Sequence, residues 1–166
     1  MRYAIVYSSQ TGNTALLARR IRATLGLEDC QSFGEPGAET PTADLLFVGF
    51  WTDKGTCDEK TAAFLARLSK KRVFLFGTAG FGGSEAYFKQ ILDRVRSLLP
   101  AGNEVVGSFM CQGRMPASVR DRYEKLLIDF PDQQRYQMLI KNYDLALPHP
   151  DADDLRRLDG AVAPLL

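Results

Sequence analysis

Short apolar runs alternate with segments of helical periodicity along this 166-residue chain. Five of the runs predict buried strands, at residues 2–8, 30–33, 44–50, 72–77 and 104–111. Between them, apolar residues that recur every three or four positions predict helices, at about 13–25, 58–69 and 84–98. This alternation predicts one α/β domain over residues 1–166, with a parallel sheet covered by helices on both faces.

The segment after the fifth strand predicts two further helices, at about 117–130 and 132–146. Pro148-His149-Pro150 then interrupts the chain, and Asp151 is placed to cap a last helix that buries Leu155, Leu158 and Val162. A doubly wound sheet of this kind has the strand order 2-1-3-4-5. Ligands bind such sheets beyond the carboxyl ends of strands one, three and four.

The loop after the first strand carries the first candidate chemistry. It consists of Ser9, Gln10, Thr11, Gly12, Asn13 and Thr14, directly before the first helix. Free N–H groups at a helix start attract phosphate, and the hydroxyl groups add neutral donors. No Lys or Arg lies within the loop, which favours a single terminal phosphate. A polar turn with Asn13 or Thr11 as N-cap remains the alternative.

Two more unusual loops follow the third and fourth strands. The first contains the chain's single tryptophan and comprises Trp51, Thr52, Asp53, Lys54 and Gly55. The second is rich in glycine and comprises Thr78, Ala79, Gly80, Phe81 and Gly82. From the residues alone, either aromatic side chain could serve a ligand or simply close the core.

The segment Ser9–Thr14 resembles the [ST]-x-T-G-x-T loop of the flavodoxin family, which holds the phosphate of FMN. The loop after strand four resembles the S-Y-G-W-G-D-G loop of short-chain flavodoxins, with Phe81 at the aromatic position. The resemblance implies a flavodoxin-like fold that binds FMN through all three loops. It also implies Trp51 and Phe81 on opposite faces of the flavin, and a peptide beside Gly55 that can rotate.

A narrower resemblance rests on Trp51–Gly55 and on Cys111–Pro116. Both segments are similar to a flavodoxin subgroup from anaerobic bacteria, the BilS type, some members of which accompany a bilirubin-reducing enzyme. This resemblance implies a partner reductase that receives electrons.

Composition narrows the function classes. The formal net charge is +1, whereas flavodoxins are usually strongly acidic, which argues against docking onto a basic partner face. No basic stripe with interleaved aromatics suggests nucleic-acid binding, and no apolar run is long enough to cross a bilayer. We expect a cytoplasmic monomer.

The cysteines, Cys30, Cys57 and Cys111, lack the spacing of a disulfide framework or metal site, and His149 has no evident partner in the sequence.

The sequence contains no convincing catalytic triad, carboxylate pair or metal cluster, so we predict no catalytic residue and no metal. An FMN-dependent electron carrier is the first interpretation, because the cofactor itself performs the redox chemistry. An FMN-dependent NAD(P)H quinone or nitro reductase is the alternative. A third possibility is a binding module that kept the fold without the flavin.

Overall fold

Five parallel strands form the central sheet of the structure, which is a computed structural model and describes residues 1–165. The five parallel strands are β1 (Tyr3–Tyr7), β2 (Cys30–Gly34), β3 (Leu45–Asp53), β5 (Arg72–Ala79) and β6 (Glu104–Gln112), and a short further strand is β4 (Thr56–Cys57). The parallel order is β2-β1-β3-β5-β6, and the two-residue β4 pairs antiparallel with β3. This arrangement confirms the predicted doubly wound sheet, since the order of its five main strands is 2-1-3-4-5.

Within the described residues, six α-helices complete the fold: α1 (Asn13–Leu25), α2 (Glu59–Ala66), α3 (Glu85–Arg96), α4 (Ala117–Asp129), α5 (Gln134–Ala146) and α6 (Ala152–Val162), with a 3-10 turn at Ala163–Leu165. The second helix is shorter than predicted because residues 67 and 68 turn back onto the carbonyls of Phe64 and Leu65. None of the helices in the described part of the chain is long and apolar enough to cross a membrane.

A hydrophobic core lies on each face of the sheet. One core packs Phe50 and Leu75 of the sheet against Phe64 of α2 and Ile91 of α3. The other packs strand residues against α1 and α6. Among residues 1–165, α4 and α5 contribute to neither core, so these two helices form an antiparallel hairpin beside the sheet rather than part of its cover.

The last helix begins as the sequence predicts, with Asp151 as its N-cap. Asp151 Oδ1 accepts from the Asp154 N–H at 2.9 Å, and Asp154 Oδ2 accepts from the Asp151 N–H at 2.8 Å. Leu158 and Val162 are buried as predicted, while Leu155 is half-buried. This reciprocal capping satisfies two N–H groups that the helix itself cannot pair.

The expectation that His149 lacks a partner is wrong. Its Nδ1 atom lies 2.6 Å from Asp154 Oδ2, and Asp151 is close enough that the three side chains form a potential ligand group. However, Asp154 Oδ2 already accepts from Asp151, and its Oδ1 accepts from Arg157 at 2.7 Å. These hydrogen bonds explain the cluster of His149, Asp151 and Asp154 as the N-terminal cap of α6.

Candidate functional site

The loop between β1 and α1 presents backbone donors at the carboxyl edge of the sheet. Gly12 has φ +92°, which only glycine adopts readily, and a Cβ there would meet nothing within 4 Å. Ser9 Oγ accepts from the N–H groups of Gly12 and Ala15, each at 3.2 Å. The N–H groups of Asn13 and Thr14 have no partner within residues 1–165. The loop is thus an open set of neutral donors at the positive end of α1.

Thr14 occupies a different place from the other hydroxyl residues of this loop. Its side chain is 1% exposed, and Oγ1 lies 3.0 Å from the Phe50 carbonyl oxygen and 3.0 Å from Thr78 Oγ1. Because the carbonyl can only accept, the Thr14 hydroxyl donates to Phe50 and accepts from Thr78. Thr14 therefore ties the start of α1 to β3 and β5, and its backbone N–H is the donor left for a ligand.

Asn13 connects the loop to the end of β6. Its Nδ2 atom donates to Thr11 Oγ1 at 3.1 Å and to the Arg114 carbonyl at 2.8 Å. Gly113 permits this contact, since a Cβ there would lie 2.5 Å from Asn13 Nδ2. The contact brings the backbone of a cationic residue beside the loop.

The second loop is a β-hairpin. Trp51, Thr52 and Asp53 belong to β3, which is longer than predicted because Thr52 pairs with Cys57 and Asp53 with Thr56. Lys54 and Gly55 form its two-residue turn, with φ +52° and +82°, as a type I′ turn requires.

Two features of this hairpin bear on ligand binding. The Gly55 carbonyl accepts from Arg94 Nη1 of α3 at 2.9 Å, which fixes one peptide of the turn. Trp51 is half-buried beside it, and the Thr52 hydroxyl is buried without a partner in the described residues. A buried hydroxyl without a partner carries a free-energy cost, and this one is shielded from solvent in the structure.

The third loop begins later than the sequence suggests, because Thr78 and Ala79 are buried residues of β5. Beyond them, the Gly80 carbonyl accepts from Asn142 Nδ2 at 2.9 Å and from Gln112 Nε2 at 3.2 Å. Phe81 is 38% exposed, so it is not tucked into the core. This exposure is what an aromatic contact surface for a ligand requires.

A cavity of about 460 Å³ adjoins the first two loops. Its lining includes Trp51 and four carboxylate residues, Glu35, Asp53, Asp58 and Glu59, with Lys60 as its basic residue. A phosphate would be repelled by these carboxylates. The acidic side of this cavity therefore disfavours a phosphate, and the open N–H groups at the start of α1 remain as its candidate donors.

The cysteines near the site are unsuited to nucleophilic chemistry. Burial, with a smaller contribution from the Asp58 carboxylate, raises the pKa of the Cys57 thiol to about 11. Burial likewise raises the pKa of Cys111. All three cysteines are free thiols, and the two buried ones stay protonated at neutral pH.

The comparisons with known proteins agree with this geometry. The family described as Flavodoxin domain matches residues 4–163. The chain belongs to the flavodoxin-domain family. A curated relative, the flavodoxin-like domain-containing protein BilS of Clostridium symbiosum (strain WAL-14163), is 40% identical over 172 residues, covering 93% of this chain and 90% of the relative.

Solved structures show the same fold. Oxidised Flavodoxin 2 from Bacillus cereus superposes with a TM-score of 0.57 at 17% identity, covering 100% of both chains. A flavoprotein in complex with FMN from Lactobacillus acidophilus NCFM gives a TM-score of 0.53 at 14% identity, covering 74% of this chain and 98% of that protein. At these identities the similarity establishes the flavodoxin fold.

The flavodoxin fold brings the three predicted loops to one edge of the sheet, where Thr14 links the start of α1 to β3 and β5. Among residues 1–165, three residues whose side chains bond to these loops were not predicted as part of the site: Arg94, Gln112 and Asn142. Gln112 carried a sequence signal, because it ends the last strand next to the site. Arg94 and Asn142 carried none, since each is a polar residue within a helix.

Proposed function

We propose that this flavodoxin domain binds one FMN and carries electrons to a partner reductase, one that reduces a bilirubin-type substrate. The observation that carries the proposal is the convergence of the open N–H groups at the start of α1 with two turns bearing aromatic residues. The name of the 40% identical relative, BilS, supports the subgroup that the sequence resembles.

The residues present fit FMN. The N–H groups of Asn13 and Thr14, together with the Thr11 hydroxyl, offer neutral donors to the phosphate. Half-buried Trp51 and exposed Phe81 offer aromatic contacts to the ring. FMN supplies the redox chemistry when bound, and the chain's part is to bind it, orient it and limit its contact with water.

The electron-carrier function needs no proton donor or nucleophile from the protein. The two buried cysteines of the site region have raised pKa values, and His149 is engaged in the cap of α6. These observations favour a carrier over a reductase with its own substrate.

The test begins with titration of the purified chain by FMN, followed by anaerobic reduction. We expect one FMN per chain, and slow consumption of NAD(P)H or quinones by the protein alone. Riboflavin is the matched control, and its weaker binding measures the contribution of the phosphate loop. Rapid turnover of NADH with a quinone would instead assign the chain to the reductases, and failure to bind FMN would remove the redox function.

A further inference from the structure

Two amide side chains converge on one carbonyl of the third loop. Asn142 Nδ2 and Gln112 Nε2 both donate to the Gly80 oxygen, at 2.9 and 3.2 Å, and Gln112 Nε2 also lies 3.1 Å from Asn142 Oδ1. Gln112 is 9% exposed at the end of β6, and Asn142 is half-buried on α5. Because a carbonyl oxygen has two lone pairs, these donors saturate it.

The loop beyond Gly80 has little other restraint. Gly82 and Gly83 have φ values of +96° and +59°, and Phe81 between them and Gly80 is exposed. The N–H of Phe81 has no partner within residues 1–165. A trans peptide directs its C=O and N–H to opposite sides, so holding the Gly80 oxygen toward Asn142 also fixes the direction of the Phe81 N–H.

The α4–α5 hairpin acquires a role from this contact. It lies outside both hydrophobic cores, and in the described chain Asn142 makes the side-chain hydrogen bonds that join α5 to the sheet and its loops. The neighbouring exposed pair Arg120–Asp144 instead joins the two helices of the hairpin to each other.

We propose that Gln112 and Asn142 are positioning residues for flavin binding, which hold the Gly80–Phe81 peptide so that Phe81 and its N–H are preorganised for the ring. This inference rests on the FMN-binding function proposed above. A loop held in its binding conformation before the ligand arrives loses less entropy on binding. Of the two side chains that hold the Gly80 carbonyl, Asn142 comes from the α4–α5 hairpin, outside the sheet.

The test compares Asn142→Ala and Asn142→Asp with the wild-type chain. Aspartate keeps the shape but replaces the amide donor with a carboxylate that repels the Gly80 oxygen. We expect affinity for FMN and for riboflavin to fall together by about fivefold to tenfold, the loss of one neutral hydrogen bond, because the ring and not the phosphate is affected. The reduction potential of bound FMN should shift in the same variants.

Asp144→Ala is the matched control, since it weakens the hairpin internally and leaves the bonds to Gly80. It should bind FMN within twofold of the wild type. Gln112→Glu tests the other donor from the sheet side and remains informative if the Asn142 variants fail to fold. Equal losses in Asp144→Ala and Asn142→Ala, or unchanged affinity and potential in both Asn142→Asp and Gln112→Glu, would overturn the proposal.

Hydrogen exchange of the ligand-free protein separates this proposal from the function on which it rests. Amides of residues 80–84 should exchange faster in Asn142→Ala than in the wild type, while those of the core strands should not. If the wild-type chain bound no FMN, the proposed function would fail, although faster exchange would still establish the restraint. Normal FMN binding by the wild type with unchanged exchange in the variant would reject the restraint alone.

Discussion

Replacing Thr14 with valine should destabilise the fold at the point where the start of α1 meets β3 and β5. The Thr14 hydroxyl is buried and has two partners, the Phe50 carbonyl and the Thr78 hydroxyl, each at 3.0 Å. Valine has nearly the same shape, so the change removes hydrogen bonds without opening a cavity. It leaves buried polar groups unsatisfied, which costs about 1–3 kcal/mol. For a domain of this size, that corresponds to a decrease in Tm of roughly 2–12 °C.

The matched variant is Thr11→Val, in the same loop. Thr11 is exposed, and its hydroxyl accepts from Asn13 Nδ2 at 3.1 Å. Its loss should change the free energy of unfolding by less than about 0.5 kcal/mol, while affinity for FMN falls and affinity for riboflavin stays the same.

Urea unfolding of the ligand-free proteins measures the first effect, and titration with the two flavins measures the second. Equal unfolding free energies for Thr14→Val and the wild type would mean that the hydroxyl does not tie α1 to β3 and β5. A larger loss of stability in Thr11→Val than in Thr14→Val would reverse the assigned roles.

Three further predictions address other parts of the molecule. Arg94→Ala should speed hydrogen exchange in the turn at Lys54 and Gly55, and Arg94→Lys should restore part of the protection because it keeps a charged donor. Unchanged exchange in Arg94→Ala would show that the hydrogen bond from Arg94 to the Gly55 carbonyl is not formed in solution. FMN should quench the fluorescence of Trp51, and an unquenched tryptophan with FMN bound would remove it from the ring. A hydrogen bond from the Arg20 guanidinium holds the pKa of Asp159 below its usual value. The Arg20–Asp159 pair therefore stabilises the fold above the usual carboxylate pKa, and this contribution is lost as pH falls through the lowered pKa. Asp159→Asn should therefore reduce stability at neutral pH and matter less in acid, and a pH-independent difference would contradict this.

The sequence predicted the sheet because its strands are almost continuously apolar. A parallel strand buried on both faces, such as Leu45–Phe50, leaves a strong signal. Helix starts were also predictable where the cap is local, as at Asp151. The first loop could be located because its residues are consecutive and follow a strand.

The β3–β4 hairpin was not predicted, and its turn residues explain why. Two-residue turns of this type favour Asn-Gly or Asp-Gly, whereas this one places Lys54 at positive φ. The fold tolerates it because Arg94 holds the Gly55 carbonyl and because β4 pairs with the end of β3. A sequence pattern cannot show this contact, since Arg94 lies on a helix 39 residues away.

The charge at the site illustrates the same limit. A net charge of +1 suggests little electrostatic bias, yet charges act over about 8 Å at physiological salt, so the side chains near the loops decide the local potential. Glu35, Asp53, Asp58 and Glu59 converge on the cavity beside Trp51, and Lys60 is 3.9 Å from Glu35. These residues meet because the end of β3 and the start of α2 lie at the same edge of the sheet as the end of β2. The cavity side of the site is therefore acidic in a nearly neutral chain, and the sign of a docking face must be deduced from such local groups rather than from composition.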